Sequence, residues 1–220
     1  MGGLTHGWDP TMMAYVCDEV RKVHDAGIET AIVVGGGNLF RGSSSAALEL
    51  PRHVGDSIGM FATLMNASAL AAYFDAHELP ATAFSAFPVG NLIEPFSVGA
   101  VKCALAQGRV VVLGGGTSNP YFTTDTAAVL RALEINADCM VKATQVNGVY
   151  TDDPRKNPDA TFLSKITYDD VLRLNLRIMD ASAVAMAREN RLPVTVVALR
   201  TPNAMRDSLL GKAVGSRIIP

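Results

Sequence analysis

Cysteine is scarce in the 220-residue chain, and charge of neither sign dominates it. Cys17, Cys103 and Cys139 are odd in number, widely spaced and never arranged as C-x-x-C. This spacing argues against a disulfide framework and against a zinc site. Since the four histidines show no i, i+4 pairing either, the sequence predicts no side-chain metal site. We expect reduced and mostly buried thiols, as in a cytosolic protein.

The balance of charged and hydrophobic residues disfavours two classes of protein. A formal net charge of −2, from 19 Lys and Arg against 21 Asp and Glu, lacks the basic excess that is typical of nucleic-acid-binding proteins. A hydrophobic fraction of 49% is far too high for a disordered chain. The sequence around His6 does not fit a myristoylation signal. We therefore expect a globular protein with no nucleic-acid partner, in which a few local groups would bind any acidic ligand.

One uncharged stretch is long enough to raise the question of a membrane span. The chain carries no charge between Asp56 and Asp75, and ~18 apolar residues can cross a bilayer. Ser57, Thr63 and Asn66 interrupt this run, together with several alanines. A helix that is apolar all round, with small and polar residues interspersed, is typical of one buried between protein elements. We therefore predict a helix in the core or in a subunit interface, and no membrane partner.

Strand and helix patterns alternate along the chain, which predicts an α/β fold. Continuous apolar strands separated by helices have to be covered on both faces, so we expect a three-layer α-β-α sandwich with a mainly parallel central sheet. No repeat or linker marks a second domain, and residues 1–220 are predicted to form one. The strand patterns cover residues 30–34, 109–113, 139–142 and 193–199, and the helix patterns cover 11–26, 57–74, 124–135, 168–174 and 181–190.

Two glycine triplets, Gly35–Gly37 and Gly114–Gly116, each follow a predicted strand directly. Without Cβ atoms, their backbone N–H groups can approach an anion, and ligands of parallel sheets bind beyond the carboxyl ends of the strands. Arg41 adds a planar cation suited to phosphate oxygens. Neither triplet fits the Rossmann or the Walker pattern. Ordinary turns with a solvated arginine are the alternative, but two such loops favour an anionic ligand.

Three further sites have both a chemical and a plainer interpretation. Asp56 either caps the uncharged helix or accepts two ribose hydroxyls, and capping is the safer interpretation. The helix after the second triplet has Thr123 or Thr124 as its N-cap, and its N-terminus is either an anion site or an ordinary capped connection. After the third strand, Lys142 and Tyr150 offer a charge for a phosphoryl group and a flat face for a base. A surface lysine and a packing tyrosine are the plainer alternatives.

Taken together, these segments resemble bacterial UMP kinase (uridylate kinase), a family of the amino acid kinase superfamily. The combination of GD-x-x-GM-x-AT with NP-[YF]-F-TTD is specific, because within the superfamily it separates UMP kinases from relatives that act on amino acids or carbamate. The likeness covers nearly the whole chain in the family's order. The matching stretches are GGGNLFRG (35–42), VGDSIGMFATLMNA (54–67), GGTSNPYFTTDTAA (115–128), VKATQVNGVYTDDP (141–154) and IMDASAVAMARENRLP (178–193).

The resemblance implies phosphoryl transfer from Mg²⁺-ATP to UMP, giving UDP and ADP, as in pyrimidine nucleotide biosynthesis. It also implies an amino acid kinase-like fold and a cytoplasmic homohexamer, built from dimers that pack helices like that at 56–74. Activation by GTP and inhibition by UTP are further expectations from the family. The alternatives are a catalytically impaired, truncated UMP kinase, or a non-catalytic nucleotide- or oxyanion-binding storage protein on the same fold. The absence of the family's N-terminal lysine slightly favours the storage protein, whereas the presence of Arg41, Asp56 and the TTD segment opposes it.

The same resemblance implies which residues bind and react. UMP is expected against Gly36, Asp56 and the segment 117–124, with Asp56 on the ribose hydroxyls. In-line transfer needs mainly positioning and positive charge around the moving phosphoryl group. Arg41 is the first choice for that charge, with Asp125 as organiser of the site and Lys142 as supporting cation. The UMP segment comprises Thr117, Ser118, Asn119, Pro120, Tyr121, Phe122, Thr123 and Thr124, and the ATP-binding residues are Gly37, Arg41, Thr144, Tyr150 and Asp153.

One departure from the family pattern concerns the first residues. The family begins with a strand carrying K-L-S-G-E-A-L-M-G, whose Lys and Ser-Gly hold the ATP phosphates, and Met1-Gly2 aligns with the end of that motif. The loss of this strand would expose unpaired backbone and remove a cation. We expect that Met1 is an internal methionine taken as the start, or that the chain is truncated. In either case the 220 residues alone should show little or no kinase activity.

Overall fold

The computed structural model describes residues 7–41, 48–176 and 178–220. The chain divides into two compact units, Met1–Ala128 and Val129–Pro220, and each has a four-stranded sheet of its own. Met1 and Gly2, on which the expectation of a missing first strand depends, lie outside the described residues, as does Gly42 at the end of the GGGNLFRG stretch. The assignment of residues 1–220 to a single domain stays a prediction.

The first unit is built on a parallel four-stranded sheet. All five residues of its strand β4 are buried, as expected for an apolar strand that is covered on both faces. Ala31 pairs with Val111, and Phe84 pairs with Leu113. The strands are β1 (Ala31–Val33), β2 (Ala81–Ser85), β3 (Glu94–Pro95) and β4 (Val110–Gly114), in the order β1-β4-β2-β3.

In the part of the first unit that the structure describes, three helices pack and a fourth begins. They are α1 (Pro10–His24), α2 (Arg52–Ala76), α3 (Val98–Ala106) and α4 (Thr124–Ile135). Helix α2 contacts β2 and β4, α3 contacts β4, and α1 contacts α2. A core cluster between these elements consists of Cys17, Val20, Ala67, Leu70, Ala71, Phe74, Leu79, Ala81, Val110 and Val112. Helix α2 is therefore the element on which most of this unit is assembled.

Helix α2 contains the uncharged stretch. It is the one helix in the described ranges that is long and apolar enough to cross a membrane by length and composition. One face is buried against the sheet, whereas Phe61 and Met65 are 55% and 52% exposed, which supports the prediction of a core or interface helix. Since α2 begins at Arg52 with Pro51 as its N-cap, Asp56 lies one turn inside the helix. The capping interpretation of Asp56 is therefore wrong.

The second unit contains a mixed sheet and a short hairpin. In the sheet, β5 runs parallel to β9 and β8 runs parallel to β10, whereas β9 and β10 are antiparallel. The sheet strands are β5 (Met140–Thr144), β8 (Lys165–Thr167), β9 (Val194–Ala198) and β10 (Ser216–Ile219), in the order β5-β9-β10-β8. The hairpin pairs β6 (Val149–Tyr150) with β7 (Phe162–Leu163). The helices are α5 (Tyr168–Arg173), α6 (Ala181–Glu189) and α7 (Ala204–Leu209).

The predicted fold class is confirmed, because helices alternate with strands and, among the described residues, five of the seven strand pairings are parallel. The expectation of mostly buried thiols is wrong in one case. Cys17 is buried and Cys139 is partly buried, but Cys103 is exposed on α3. All three cysteines are free.

Candidate functional site

The first glycine loop lies directly against α2. A Cβ atom on Gly36 would lie 2.8 Å from the carbonyl oxygen of Gly59 and 2.9 Å from the Cβ of Ala62. Gly36 is therefore required by the close approach of this loop to the helix. Gly37 has nothing within 4 Å of the same position, so its backbone faces open space. Arg41 donates from Nε to the carbonyl oxygen of Gly37 at 2.8 Å, which holds its guanidinium beside the loop.

The second glycine loop packs on the next turns of the same helix. A Cβ on Gly114 would lie 3.0 Å from atoms of Leu64 and Ala67. Gly115, at φ +85°, donates its N–H to the Oγ1 of the buried Thr63 at 2.7 Å. Both triplets thus have a packing reason for glycine besides any ligand. What the sequence could not show is that one helix receives both loops.

The two loops lie next to each other. A Cβ on Gly35 would lie 3.8 Å from the Oγ1 of Thr124, the first residue of α4. Thr123 accepts the N–H of Asp125 on its Oγ1 at 3.1 Å and the N–H of Ala127 on its carbonyl oxygen at 3.1 Å. Thr123 is therefore the N-cap of α4. The N-terminus of this helix, which favours anions, is within reach of the first glycine loop.

Asp56 connects α2 to the segment 117–123. Its Oδ2 accepts the backbone N–H of Tyr121 at 2.8 Å and lies 3.6 Å from the Nε of Arg52. Among the described residues both contacts go to Oδ2, and the side chain is 33% exposed, so Oδ1 is available to a ligand. Arg52 also lies over the Tyr121 ring, with 4.9 Å between the guanidinium carbon and the ring centroid.

Further hydrogen bonds, within the segment and to Ala86, hold the remainder of the segment 117–122. The N–H of Asn119 donates to the Oγ1 of Thr117 at 3.3 Å, and the Oγ of Ser118 donates to the carbonyl oxygen of Ala86 at 2.7 Å. Ser118 and Tyr121 adopt positive φ angles of 66° and 73°, which are uncommon for residues other than glycine and recur at ligand sites. Tyr121 and Phe122 are 58% and 50% exposed, beside Pro120.

The predicted ATP-side residues of the second unit lie on β5 and the turn that follows it. Lys142 pairs with Val196 in the sheet. The Oγ1 of Thr144 accepts the N–H of Val146 at 2.9 Å. The hydroxyl of Tyr150 donates to the Oδ1 of Asn147 at 2.7 Å. This turn requires glycine at position 148, because a Cβ atom there would overlap Phe162 and Ser216.

Asp153 ends the same segment. Its Oδ1 accepts the N–H of Arg155 at 3.0 Å and the Nε–H of Arg155 at 3.1 Å. These hydrogen bonds to Arg155 lower the pKa of the Asp153 carboxyl below its usual range. The carboxylate is therefore charged throughout the neutral range. It can accept hydrogen bonds from a ligand but cannot donate one.

The predicted site residues thus fall into two groups. Gly36, Asp56 and the segment 117–124 are assembled around α2 in the first unit, together with Gly37, Arg41 and Asp125. Lys142, Thr144, Tyr150 and Asp153 belong to the second unit. Sequence reasoning missed Arg52, although its position four residues before Asp56 places both side chains on one face of a helix.

The model of the amino acid kinase family matches residues 2–198. The chain belongs to this family. A uridylate kinase of Azorhizobium caulinodans is 46% identical over 212 residues, covering 96% of this chain and 89% of that protein. A uridylate kinase of a Bradyrhizobium species is 44% identical over 215 residues, covering 98% and 90%.

Solved structures of the amino acid kinase family agree with the fold. The UMP kinase of Bacillus anthracis superimposes with a TM-score of 0.96 at 33% identity, covering 99% of this chain and 90% of that one. The UMP kinase of Ureaplasma parvum gives a TM-score of 0.90 at 32% identity, covering 96% and 90%. The resemblance to bacterial UMP kinases that the sequence predicted is therefore confirmed.

Proposed function

We propose that this protein is a nucleoside monophosphate kinase that transfers the γ-phosphoryl group of ATP to UMP, giving UDP and ADP. Both glycine loops pack on helix α2, which carries Asp56, and the N-terminus of α4 lies beside the first loop. This arrangement carries the proposal, because it combines donors for phosphate with an acceptor for ribose. The uridylate kinase relatives, which match over nearly their whole length, support UMP as the acceptor. They do not favour a storage protein.

The first unit would hold UMP. Backbone N–H groups at Gly36 and at the N-terminus of α4 would bind the phosphate, and the Oδ1 of Asp56 would accept from the ribose hydroxyls. The segment 117–124 would enclose the nucleoside, with the exposed rings of Tyr121 and Phe122 offering flat apolar faces. In this arrangement Asp56 binds UMP with one carboxylate oxygen and holds the enclosing segment with the other.

By the family resemblance, the ATP-binding residues would be Gly37, Arg41, Thr144, Tyr150 and Asp153. Phosphoryl transfer depends on positioning and on positive charge around the three equatorial oxygens. Arg41 supplies a permanent cation beside the first glycine loop. We assign Asp125, in the first turn of α4, to organising the site, and Lys142 to a supporting charge.

A divalent cation, Mg²⁺, would enter with ATP. The described part of the chain contains no group of three or more His, Cys, Asp or Glu side chains that could hold a metal ion. Mg²⁺ usually keeps several waters and binds through substrate phosphates with one or two carboxylates. Such a site needs no cluster of protein ligands, because the substrate phosphates and waters supply most of the donors. The cation would neutralise charge that develops on the phosphates.

We further propose a cytoplasmic homohexamer that acts in pyrimidine nucleotide biosynthesis, with GTP as activator and UTP as inhibitor. Phe61 and Met65, exposed on α2, support a subunit contact along that helix, because large apolar side chains on a surface mark interaction sites. Light scattering at several protein concentrations would measure the mass of the assembly.

A coupled assay of ADP release tests the proposed reaction. In the chain extended by the family's first strand we expect turnover with UMP, weaker turnover with CMP, and none with glutamate or aspartate, whereas the 220 residues alone should show little or none. The assay is run on the 220 residues and, in parallel, on the chain preceded by a K-L-S-G-E-type strand. Turnover of an amino acid but not of UMP would reject the proposal. Calorimetric binding of UMP without turnover in the extended chain would instead indicate a storage or sensing protein.

A further inference from the structure

Asn66, on α2, uses every hydrogen-bonding group of its side-chain amide. Its Nδ2 donates to the carbonyl oxygen of Gly35 at 2.7 Å and to the Oδ1 of Asn38 at 2.6 Å. Its Oδ1 accepts from the Nδ2 of Asn38 at 3.1 Å and from the indole N–H of Trp8 at 2.9 Å. Only Asn and Gln offer two donors and two acceptors in one neutral group, so the site is specific for an amide.

Asn38 completes the network on the side of the glycine loop. Its Nδ2 also donates to the carbonyl oxygen of Gly7 at 3.1 Å, and its own carbonyl oxygen accepts the N–H of Gly7 at 3.0 Å. Three separate segments therefore meet in one polar cluster. They are residues 7–8 before α1, the loop 35–38 after β1, and the middle of α2.

The network fixes the loop at both of its ends. Gly35 is held at its carbonyl oxygen by Asn66, and Asn38 is held through its side chain, while Gly36 between them packs on Gly59 with no room for a Cβ. Asp56 lies ten residues before Asn66 on the same helix, which is ~15 Å at the α-helical rise. One rigid element thus places both the glycine loop and the ribose carboxylate.

We propose that Asn66 is a positioning residue for phosphate binding, and that Trp8 reports on it. This inference rests on the proposed function, since it assigns the loop to the phosphate of UMP. Asn66 holds the backbone N–H groups of the loop at the spacing from Asp56 that a nucleoside monophosphate requires. Asn66 does not contact the nucleotide, and its effect is carried by the loop.

Asn66→Asp tests this role, because aspartate keeps the shape and the acceptors but cannot donate. Two carboxylate lone pairs would then face the carbonyl oxygen of Gly35 and the Oδ1 of Asn38. We expect UMP to bind about tenfold or more weakly in calorimetry, as for the loss of ~1.4 kcal/mol, whereas uridine, which lacks the phosphate, should lose less than about twofold. A general loss of structure would weaken both ligands alike.

The matched control is Asn190→Asp, which makes the same chemical change at an amide whose one side-chain hydrogen bond to a described residue goes to the carbonyl oxygen of Met186. We expect this variant to bind UMP like the wild type. If Asn66→Asp does not fold, Trp8→Phe removes a single donor from the network and should still weaken UMP binding more than uridine binding. Equal affinities for UMP in Asn66→Asp and in the wild type would overturn the proposal.

Trp8 is the single tryptophan of the chain and gives an independent readout. Its emission should change when UMP binds to the wild type, and this change should disappear in Asn66→Asp. Amide hydrogen exchange of residues 35–40, measured without ligand, should be faster in Asn66→Asp than in Asn190→Asp. Absence of UMP binding by the wild type would reject the proposed function. Unchanged hydrogen exchange in Asn66→Asp would instead show that Asn66 does not hold the loop 35–38 in place.

Discussion

The backbone N–H of Tyr121 donates to the Oδ2 of Asp56 at 2.8 Å, although 65 residues separate the two in the chain. A carboxylate that the family resemblance assigns to ribose thus also anchors the segment that would enclose the nucleotide. If Oδ1 accepts from the ribose as proposed, substrate contact and the position of this segment would be coupled through one side chain.

We expect Asp56→Ala to weaken UMP binding about 10- to 100-fold, because hydrogen bonds to charged groups contribute ~1.5–3 kcal/mol. Asp56→Asn retains an acceptor for the N–H of Tyr121 and should lose less. Calorimetry with UMP and 2′-deoxy-UMP provides the measurement, and the preference for UMP should shrink in Asp56→Ala.

Asp75→Asn is the matched control for these variants. Asp75 is the other acidic residue of α2 and lies 3.3 Å from Arg109, at the opposite end of the helix. The control should bind both nucleotides like the wild type. An unchanged ratio between UMP and 2′-deoxy-UMP in Asp56→Ala would show that Asp56 does not contact the ribose.

Arg52 should contribute modestly to UMP binding by holding Tyr121 and Asp56 together. Its side chain is 68% exposed, and exposed ion pairs and cation–π contacts each contribute no more than ~1 kcal/mol. We expect Arg52→Gln to weaken UMP binding by about two- to fivefold, and Arg52→Lys to lie between this variant and the wild type.

The salt dependence of this effect identifies its origin. In the wild type, added salt should reduce UMP affinity partly by screening the Arg52–Asp56 pair, and Arg52→Gln should be less sensitive. Calorimetric titrations at low and high ionic strength compare the two. A loss of affinity in Arg52→Gln that is equal for UMP at both ionic strengths would leave packing on the Tyr121 ring as its cause.

The sequence was sufficient for the fold class and for the strongest elements. The helix at 124–135 was predicted with its observed bounds, because an apolar period follows a clear threonine cap. Strand β4 was recognisable because it is continuously apolar and buried on both faces. For both elements, the local sequence alone contains the information that defines the structure.

Other elements could not be found because tertiary contacts define them. Strand β2, with the sequence ATAFS, is short and rich in alanine, and it is a strand because β4 and β3 pair with it. Strand β10 and helices α3 and α7 were missed for similar reasons. In the site, the capping interpretation of Asp56 was wrong because α2 begins four residues earlier, at Arg52, where no side chain caps it. The Asn38–Asn66 pair joins residues 28 positions apart, for which the sequence gives no signal.

Gly36→Ala should destabilise the protein by ~1–3 kcal/mol, the usual cost of overpacking a tight contact. The added methyl group would lie 2.8 Å from the carbonyl oxygen of Gly59, which belongs to the helix backbone and cannot move away alone. Gly37→Ala is the control for stability, since nothing lies within 4 Å of its Cβ position. Urea denaturation should show a lower midpoint for Gly36→Ala only. Equal midpoints for the two variants would mean that the loop does not pack on α2 as described.

The three cysteines should react with iodoacetamide in the order Cys103, Cys139, Cys17. Cys103 is exposed and Cys17 is 2% exposed. Burial raises the pKa of the Cys139 thiol, with a further contribution from the charge of Asp138, and burial likewise raises the pKa of Cys17. The thiolate is the reactive form, and a raised pKa keeps both thiols protonated at neutral pH. Labelling of Cys139 should therefore still accelerate when the pH is increased above the pKa of an ordinary cysteine. Peptide mass spectrometry of the native protein measures each site, and labelling of Cys17 before Cys103 would contradict the packing of α1 on α2.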